Sequence, residues 1–300
     1  MLKTYDEIVE RACQLGPKTI AVAKPDSIDV MFALEQARQK GMINSILVGD
    51  KEKIINIGRK LNIDLLKYEV IDTANDSDAA NTAVKLVREK QAELLMKGML
   101  GTAQILKAVL SKEIGLRTKR LLSHAYTLSL KKYNKLLTIT DAAMNIAPTL
   151  EQKAQIMQNV IEICQSLEIK QPKIAALAAV EMVNPNMQAT IDAACLSKMA
   201  QRGQITGAIV DGPLAFDNAV SRKAAMHKGI NSSISGEIDA VLVPDIESGN
   251  ILAKSLVYLA DAEPAGVLLG TASPVILVSR SDTALAKVRS IALGILMTIY

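Results

Sequence analysis

The chain has 300 residues, 49% of them hydrophobic and 22% charged, about twice a typical domain and too apolar for global disorder, so two domains are expected. The formal charge of +4 comes from 35 basic and 31 acidic residues that intersperse along the chain; with no basic stripe and no stacking aromatics, no nucleic-acid partner is expected. The longest uncharged stretch, Pro264 to Ser279, is broken by two prolines and two glycines and is too short to span a bilayer, so a soluble protein with no membrane partner is expected.

In chain order, MLKTYDEIVERA reads as an amphipathic helix with three acids in its first ten residues, and no targeting signal is expected. TIAVA (19–23) and SILVG (45–49) read as buried strands, flanking a helix capped by Asp26 or Ser27 that runs to Lys40 and closes at Gly41. ELLMK (93–97) precedes a glycine turn and the helix AQILKAVL. At 117–140 the alternation changes, because RLLSHAY and KLLTIT are strand-like runs joined by a lysine-rich bend, the pattern of a hairpin and a candidate crossing point between domains. Thr149 and Gln152 form a capping-box pair opening a helix to Leu167. IAALAAV (174–180), GAIVD (207–211), AVLVP (240–244), GVLLG (266–270) and PVILVS (274–279) read as further strands. Repeated strand, helix, strand predicts an α/β fold with a doubly wound parallel sheet and ligands beyond the strands' carboxyl ends. Cys13, Cys164 and Cys195 are far apart and only two histidines occur; this supports neither a disulfide framework nor a metal site, and predicts a reducing cytoplasmic setting.

Four turns after strands carry more polar chemistry than a connection needs. Lys97-Gly98-Met99-Leu100-Gly101-Thr102 combines glycines, which let backbone amides approach an anion at a helix N-terminus, with a lysine. Asp211-Gly212-Pro213, followed by Asp217, reads either as turn chemistry with a cap or as a pair of substrate-orienting acids. Asp245, Gly249 and Asn250 lie where AVLVP passes into a helix, with Asn250 and Lys254 on one helix face. Ser279-Arg280-Ser281-Asp282 follows the most aliphatic strand: an arginine there suits a bidentate phosphate contact, a serine can donate to an oxyanion, and Asp282 is either a base or a helix cap. Ser123 and His124, at a strand end in LLSHAY, complete the candidates.

The runs AALAAVEMVNPNMQATIDAACLSKMAQRGQI, VDGPLAFDNAVS, VPDIESGNILAKSL and VILVSRSDTALAKVRSIAL, with KGMLGTAQILKAVL and ITDAAMNIAPTLEQKAQI upstream, resemble the phosphate acetyl/butyryl transferase family in order and wording, and its phosphate butyryltransferase branch most. The resemblance implies two three-layer α/β/α domains with an interdomain cleft, similar to the isocitrate and isopropylmalate dehydrogenases, here drawn as 1–125 plus 268–300 and 126–267. It also implies a homodimer or larger homo-oligomer. The implied substrates are acyl-CoA, inorganic phosphate and acyl phosphate, with coenzyme A as substrate and no tightly bound cofactor. Ser279 and Arg280 match the family's serine–arginine motif. The acetyl branch has a glycine after that pair and an aspartate seven residues after the serine, whereas this chain has Ser281 and Ala286 there; Asp282 is the nearest replacement for the base.

Thiolate attack on an acyl phosphate needs a deprotonated thiol, an oxyanion donor and cations for the phosphate. Arg280 is assigned to phosphate, Ser279 to the oxyanion and Asp282 to the thiol. Lys97, Gly98, Gly101, Thr102, Ser123, His124, Asp211, Gly212, Pro213, Asp245, Gly249 and Asn250 are assigned to the phosphate and acyl-CoA site. Phosphate acetyltransferase is the alternative within this chemistry. A metal-dependent hydroxyacid dehydrogenase and an acyl-CoA-sensing regulatory module are the alternatives outside it.

Overall fold

The structure, a computed structural model, describes residues 1–299. Its elements begin with α1 (Tyr5–Gln14), β1 (Lys18–Ala23), α2 (Ile28–Gln39), β2 (Ile43–Gly49), α3 (Lys51–Lys60), β3 (Glu69–Asp72), α4 (Asp76–Arg88), β4 (Leu94–Lys97) and α5 (Thr102–Val109). The hairpin strands β5 (Ser123–Ser129) and β6 (Leu137–Thr140) lead to α6 (Leu150–Ser166), β7 (Lys173–Leu177), α7 (Gln188–Gln201), β8 (Ile209–Leu214), α8 (Phe216–Val220) and α9 (Arg222–His227). Last come β9 (Ala240–Leu242), α10 (Ile246–Leu259), β10 (Glu263–Leu269), β11 (Val275–Ile276) and α11 (Ala284–Met297).

The chain divides into two compact units: a terminal unit of Tyr5–Arg120 with the chain from Ala265 on, and a central unit of Met1–Thr4 with Leu121–Pro264. In the terminal unit the strand order is β3-β2-β1-β4-β11-β10. All pairs are parallel except β10 with β11. α11 packs with α1 and α2, while α4 packs with α5 and lies on β1 and β2, which gives two helical layers around one sheet. Ile20 through Ala23 are fully buried, as strands covered on both faces must be.

In the central unit the order is β5-β6-β9-β7-β8, with β5 antiparallel to β6 and the others parallel. One side is an aliphatic core joining Leu137, Ile139, Ala175, Val241 and Val243 to Ala219 of α8 and Ala253 of α10. α6 packs with α7, and its Ile156, Met157, Val160 and Cys164 are fully buried.

Local signals account for several boundaries. Ser27, not Asp26, caps α2 by accepting the Val30 amide proton at 3.1 Å, and Gly41 follows the helix with φ +74°. Thr149 and Gln152 form the reciprocal capping box of α6. Three expectations need correction. The sheets are mixed, because β5–β6 and β10–β11 are joined by connections too short for a crossover. β3 is a strand that the hydrophobic pattern hides, since its sequence Glu-Val-Ile-Asp is half charged and half-buried. Asp211, Gly212 and Pro213 belong to β8 rather than to a turn after it; β8 ends the strand order, where Pro213, lacking an N–H, is tolerated. Among the described residues no helix is long and apolar enough to cross a membrane.

Candidate active site

In the terminal unit β1, β4 and β11 run parallel, with Ala23 beside Lys97 and Ile276 beside Met96. Their carboxyl ends therefore bring the Lys97 turn next to the turn after β11. Gly98 is forced by close approach: a Cβ there would lie 2.0 Å from the Lys24 carbonyl oxygen. The amides of Gly98 and Met99 donate to Ala23 O and Lys24 O at 2.8 and 2.7 Å, and the Gly101 amide donates to Gln104 Oε1 at 2.9 Å. These three amides are thus committed within the protein. An anion at this turn would meet the exposed Thr102 and the first amides of α5, which have no acceptor inside the helix.

Ser279 and Arg280 are exposed on the turn following β11. The Asp282 carboxylate accepts the Ser279 amide proton at 2.8 Å, and the Ser279 and Ser281 hydroxyls are hydrogen-bonded at 2.9 Å. The cap of α11 is Thr283, whose Oγ1 accepts from the Ala286 amide, so Asp282 does not cap that helix. Below the turn Lys287, 2% exposed, donates through Nζ to the Asp282 carbonyl. Lys97 is 3% exposed, and its Nζ donates to Gly98 O at 3.2 Å and Leu100 O at 3.4 Å. Burial, with the positive charges of Arg280 and Lys287 opposed by Asp282, brings the Lys97 ammonium down to about 8 from its ordinary 10.5. Burial lowers Lys287 as well. Lys97, Arg280 and Lys287 thus concentrate positive charge around one exposed serine turn, the electrostatics of an anion site.

In the central unit, Ala125 of β5 pairs with Thr140 at the end of β6, which sets the buried Ser123 and His124 at the carboxyl edge of the parallel strands. Ser123 Oγ accepts from Asn159 Nδ2 at 2.9 Å, and the His124 ring meets Tyr126 edge-on at 4.4 Å between centroids. Asp245 is the N-cap of α10, accepting the Ser248 amide proton at 2.8 Å. Gly249 admits the loop after β6, since a Cβ there would lie 3.0 Å from Asp141 O, and Asn250 Nδ2 donates to Ala142 O at 3.1 Å. Asp211 Oδ1 accepts the amide proton of Gly212, and Gly212 packs against Ala176 O.

Sequence reasoning missed three residues. Asp141, 3% exposed, accepts from the amides of Ala143, Met144 and Asn145 and from Asn145 Nδ2. Asn145 Nδ2 also donates to Leu122 O at 2.8 Å, so the pair ties the loop after β6 to the start of β5. An aspartate just past KLLTIT, four residues before an asparagine, was the available signal. Lys287 gave none, being a lysine in a helix whose burial only the packing reveals. A cavity of about 440 Å³, lined by Leu130, Tyr133, Leu137, Phe216, Val220 and Leu256 among others, contains none of the residues assigned to the site from sequence.

The architecture is shared with a 4-hydroxythreonine-4-phosphate dehydrogenase from Klebsiella pneumoniae, at a TM-score of 0.56 and 14% identity over 94% of this chain and 99% of that one; at that distance the likeness defines a dehydrogenase-like α/β/α fold and nothing finer. The model of the family described as phosphate acetyl/butaryl transferase matches residues 73–295. A phosphate butyryltransferase of Clostridium acetobutylicum is 41% identical over 297 residues, 99% of each chain. A phosphate acetyltransferase of Rickettsia felis is 46% identical over 93% of this chain and 80% of the relative. A solved branched-chain phosphotransacylase from Enterococcus faecalis superposes with a TM-score of 0.83 at 31% identity, covering 94% of this chain and 99% of the other. The chain belongs to the phosphate acetyl/butyryl transferase family and is a phosphate acyltransferase.

Proposed function

We propose that this protein moves a short acyl group, butyryl or branched, between coenzyme A and inorganic phosphate, with thiolate or phosphate attacking the acyl carbon directly. The observation that carries the reading is the gathering of Lys97, Arg280 and Lys287 around the exposed Ser279 turn. Phosphate as nucleophile or leaving group needs such cations, and the collapse of a tetrahedral oxyanion needs a hydroxyl or amide donor beside them. In this reading Arg280 holds phosphate and Ser279 Oγ faces the oxyanion. Asp282 fixes the turn through the Ser279 amide and is one candidate for the thiol proton. Gly98, Gly101 and Thr102 shape the phosphate end. Ser123, His124, Asp211, Gly212, Pro213, Asp245, Gly249 and Asn250 are assigned to acyl-CoA.

We also place the protein in the cytoplasm, because Cys13, Cys164 and Cys195 are all free thiols, and we assign it a homodimer or larger assembly on its family membership. The residue roles are tested by steady-state kinetics in both substrates. Arg280→Ala is expected to raise the KM for phosphate, while Ser279→Ala lowers kcat by about 100-fold, the usual loss for one oxyanion donor. Near-normal constants in both variants would remove the turn from the site.

A further inference from the structure

Direct transfer requires a group that takes the proton of the CoA thiol. The aspartate of the acetyl branch is replaced by Ala286, a buried residue in the first turn of α11. The Asp282 carboxylate accepts the Ser279 amide proton and is engaged in holding the turn. Lys97 lies at the same strand edge, ending β4 directly before the glycine turn.

We propose that Lys97, as a neutral amine, accepts the thiol proton of CoA, and as an ammonium returns it to the thiolate in the opposite direction. The inference rests on the acyl-transfer reading above and adds a proton-transfer role to a residue otherwise read as a phosphate-binding charge. An amine has two N–H donors and one lone pair, whereas an ammonium has three donors and none. Lys97 Nζ gives two hydrogen bonds, to Gly98 O and Leu100 O. Two of the three tetrahedral positions on Nζ are taken in this way in either protonation state, and the third is left for the amine's lone pair or for the proton it captures. Arg280 and Lys287 face Lys97 from the turn after β11 and from α11, and both oppose a third proton; Asp282 favours it. From the end of β1, Lys24 is ion-paired with Asp76, and Asp26 lies beside Gly49. From α2, Asp29 bears on Lys287. With 3% exposure, burial also disfavours the cation. These forces set the amine near the thiol's own proton affinity, where general catalysis is most effective.

The step balances in both directions. In thiolysis the S–H proton passes to Lys97 Nζ, the C–S bond forms, and the acyl–O bond breaks with its electron pair going to the departing phosphate. In phosphorolysis a phosphate oxygen forms the C–O bond, the C–S bond breaks with its pair on sulfur, and the Lys97 ammonium supplies the proton.

The test is phosphorolysis of butyryl-CoA by inorganic phosphate, followed from about pH 6 to about pH 10, a direction in which no free thiol titrates as substrate. Wild type is expected to lose activity through an alkaline limb near pH 8 as the ammonium deprotonates. Asp282→Asn is expected to keep that limb, while Lys97→Arg and Lys97→Met lose it along with about 10²- to 10⁴-fold in rate. An unchanged limb in Lys97→Arg, or a limb abolished by Asp282→Asn instead, overturns the proposal. If neither lysine variant folds by circular dichroism, the wild-type limb decides: an amine's midpoint moves to lower pH on warming, and a stationary midpoint overturns the assignment. Failure of wild type to release CoA with phosphate would instead overturn the acyl-transfer reading itself.

Discussion

The proton-transfer role proposed for Lys97 sets function against stability. Its folded-state pKa lies below its unfolded value of 10.5, at about 8, so the unfolded chain binds the extra proton between those two pH values. Stability therefore rises with pH across that window, and below it the buried charge costs stability on the order of 3 kcal/mol. Lys97→Met is expected to melt at higher temperature than wild type at pH 7 and to lack the rise from about pH 8 to about pH 10. Calorimetry across that range checks this, and a destabilised Lys97→Met at pH 7 would mean that the ammonium's two carbonyl contacts outweigh its burial. Lys287 illustrates what a sequence hides. It sits among Val288, Ile291 and Leu293 of a helix buried on most of its faces, and a lone lysine there looks the same whether its amine reaches solvent or, as here, the Asp282 carbonyl.

Turns explain why elements meet where they do. Gly98 lets β4 leave the sheet against the backbone of β1, and Gly98→Ala would place a methyl 2.0 Å from Lys24 O and 2.8 Å from Ala23 O. The strand ends would have to separate, at a cost of about 3 kcal/mol or more. A lowered melting temperature together with a raised KM for phosphate is expected, and a variant as stable as wild type would show that the turn relaxes freely. Much at this scale was legible in the sequence: the caps at Ser27 and Thr149, the aliphatic strands and the 117–140 hairpin all come from short-range chemistry. β3 was not, because an edge strand of four residues with two acids carries no hydrophobic run. The β8 register was not either, since AIVD followed by Gly-Pro looks like a strand that ends, and only pairing with β7 carries it on to Leu214. Asp141 escaped notice because three of its partners are backbone amides of its own loop, and the one side-chain signal, Asn145 four residues on, is a common spacing.

The whole molecule shares its architecture both with a phosphotransacylase, at a TM-score of 0.83, and with a dehydrogenase, at 0.56, so one fold carries two chemistries and the family assignment rests on sequence. Identity does not divide the branches, with an acetyltransferase at 46% and a butyryltransferase at 41%. The proposal of a longer acyl chain rests on the resemblance of the serine–arginine–serine–aspartate turn to the butyryl branch, and two further buried methylenes would give about a 15-fold gain in kcat/KM. The most direct test measures CoA release from acetyl-, butyryl- and isobutyryl-CoA by the purified protein, with and without inorganic phosphate and with no nicotinamide or divalent metal added. The expected result is phosphate-dependent release, fastest in kcat/KM for a four-carbon acyl group. Binding of acyl-CoA without any phosphate-dependent release, or nicotinamide-dependent oxidation of a hydroxyacid in its place, would contradict the account.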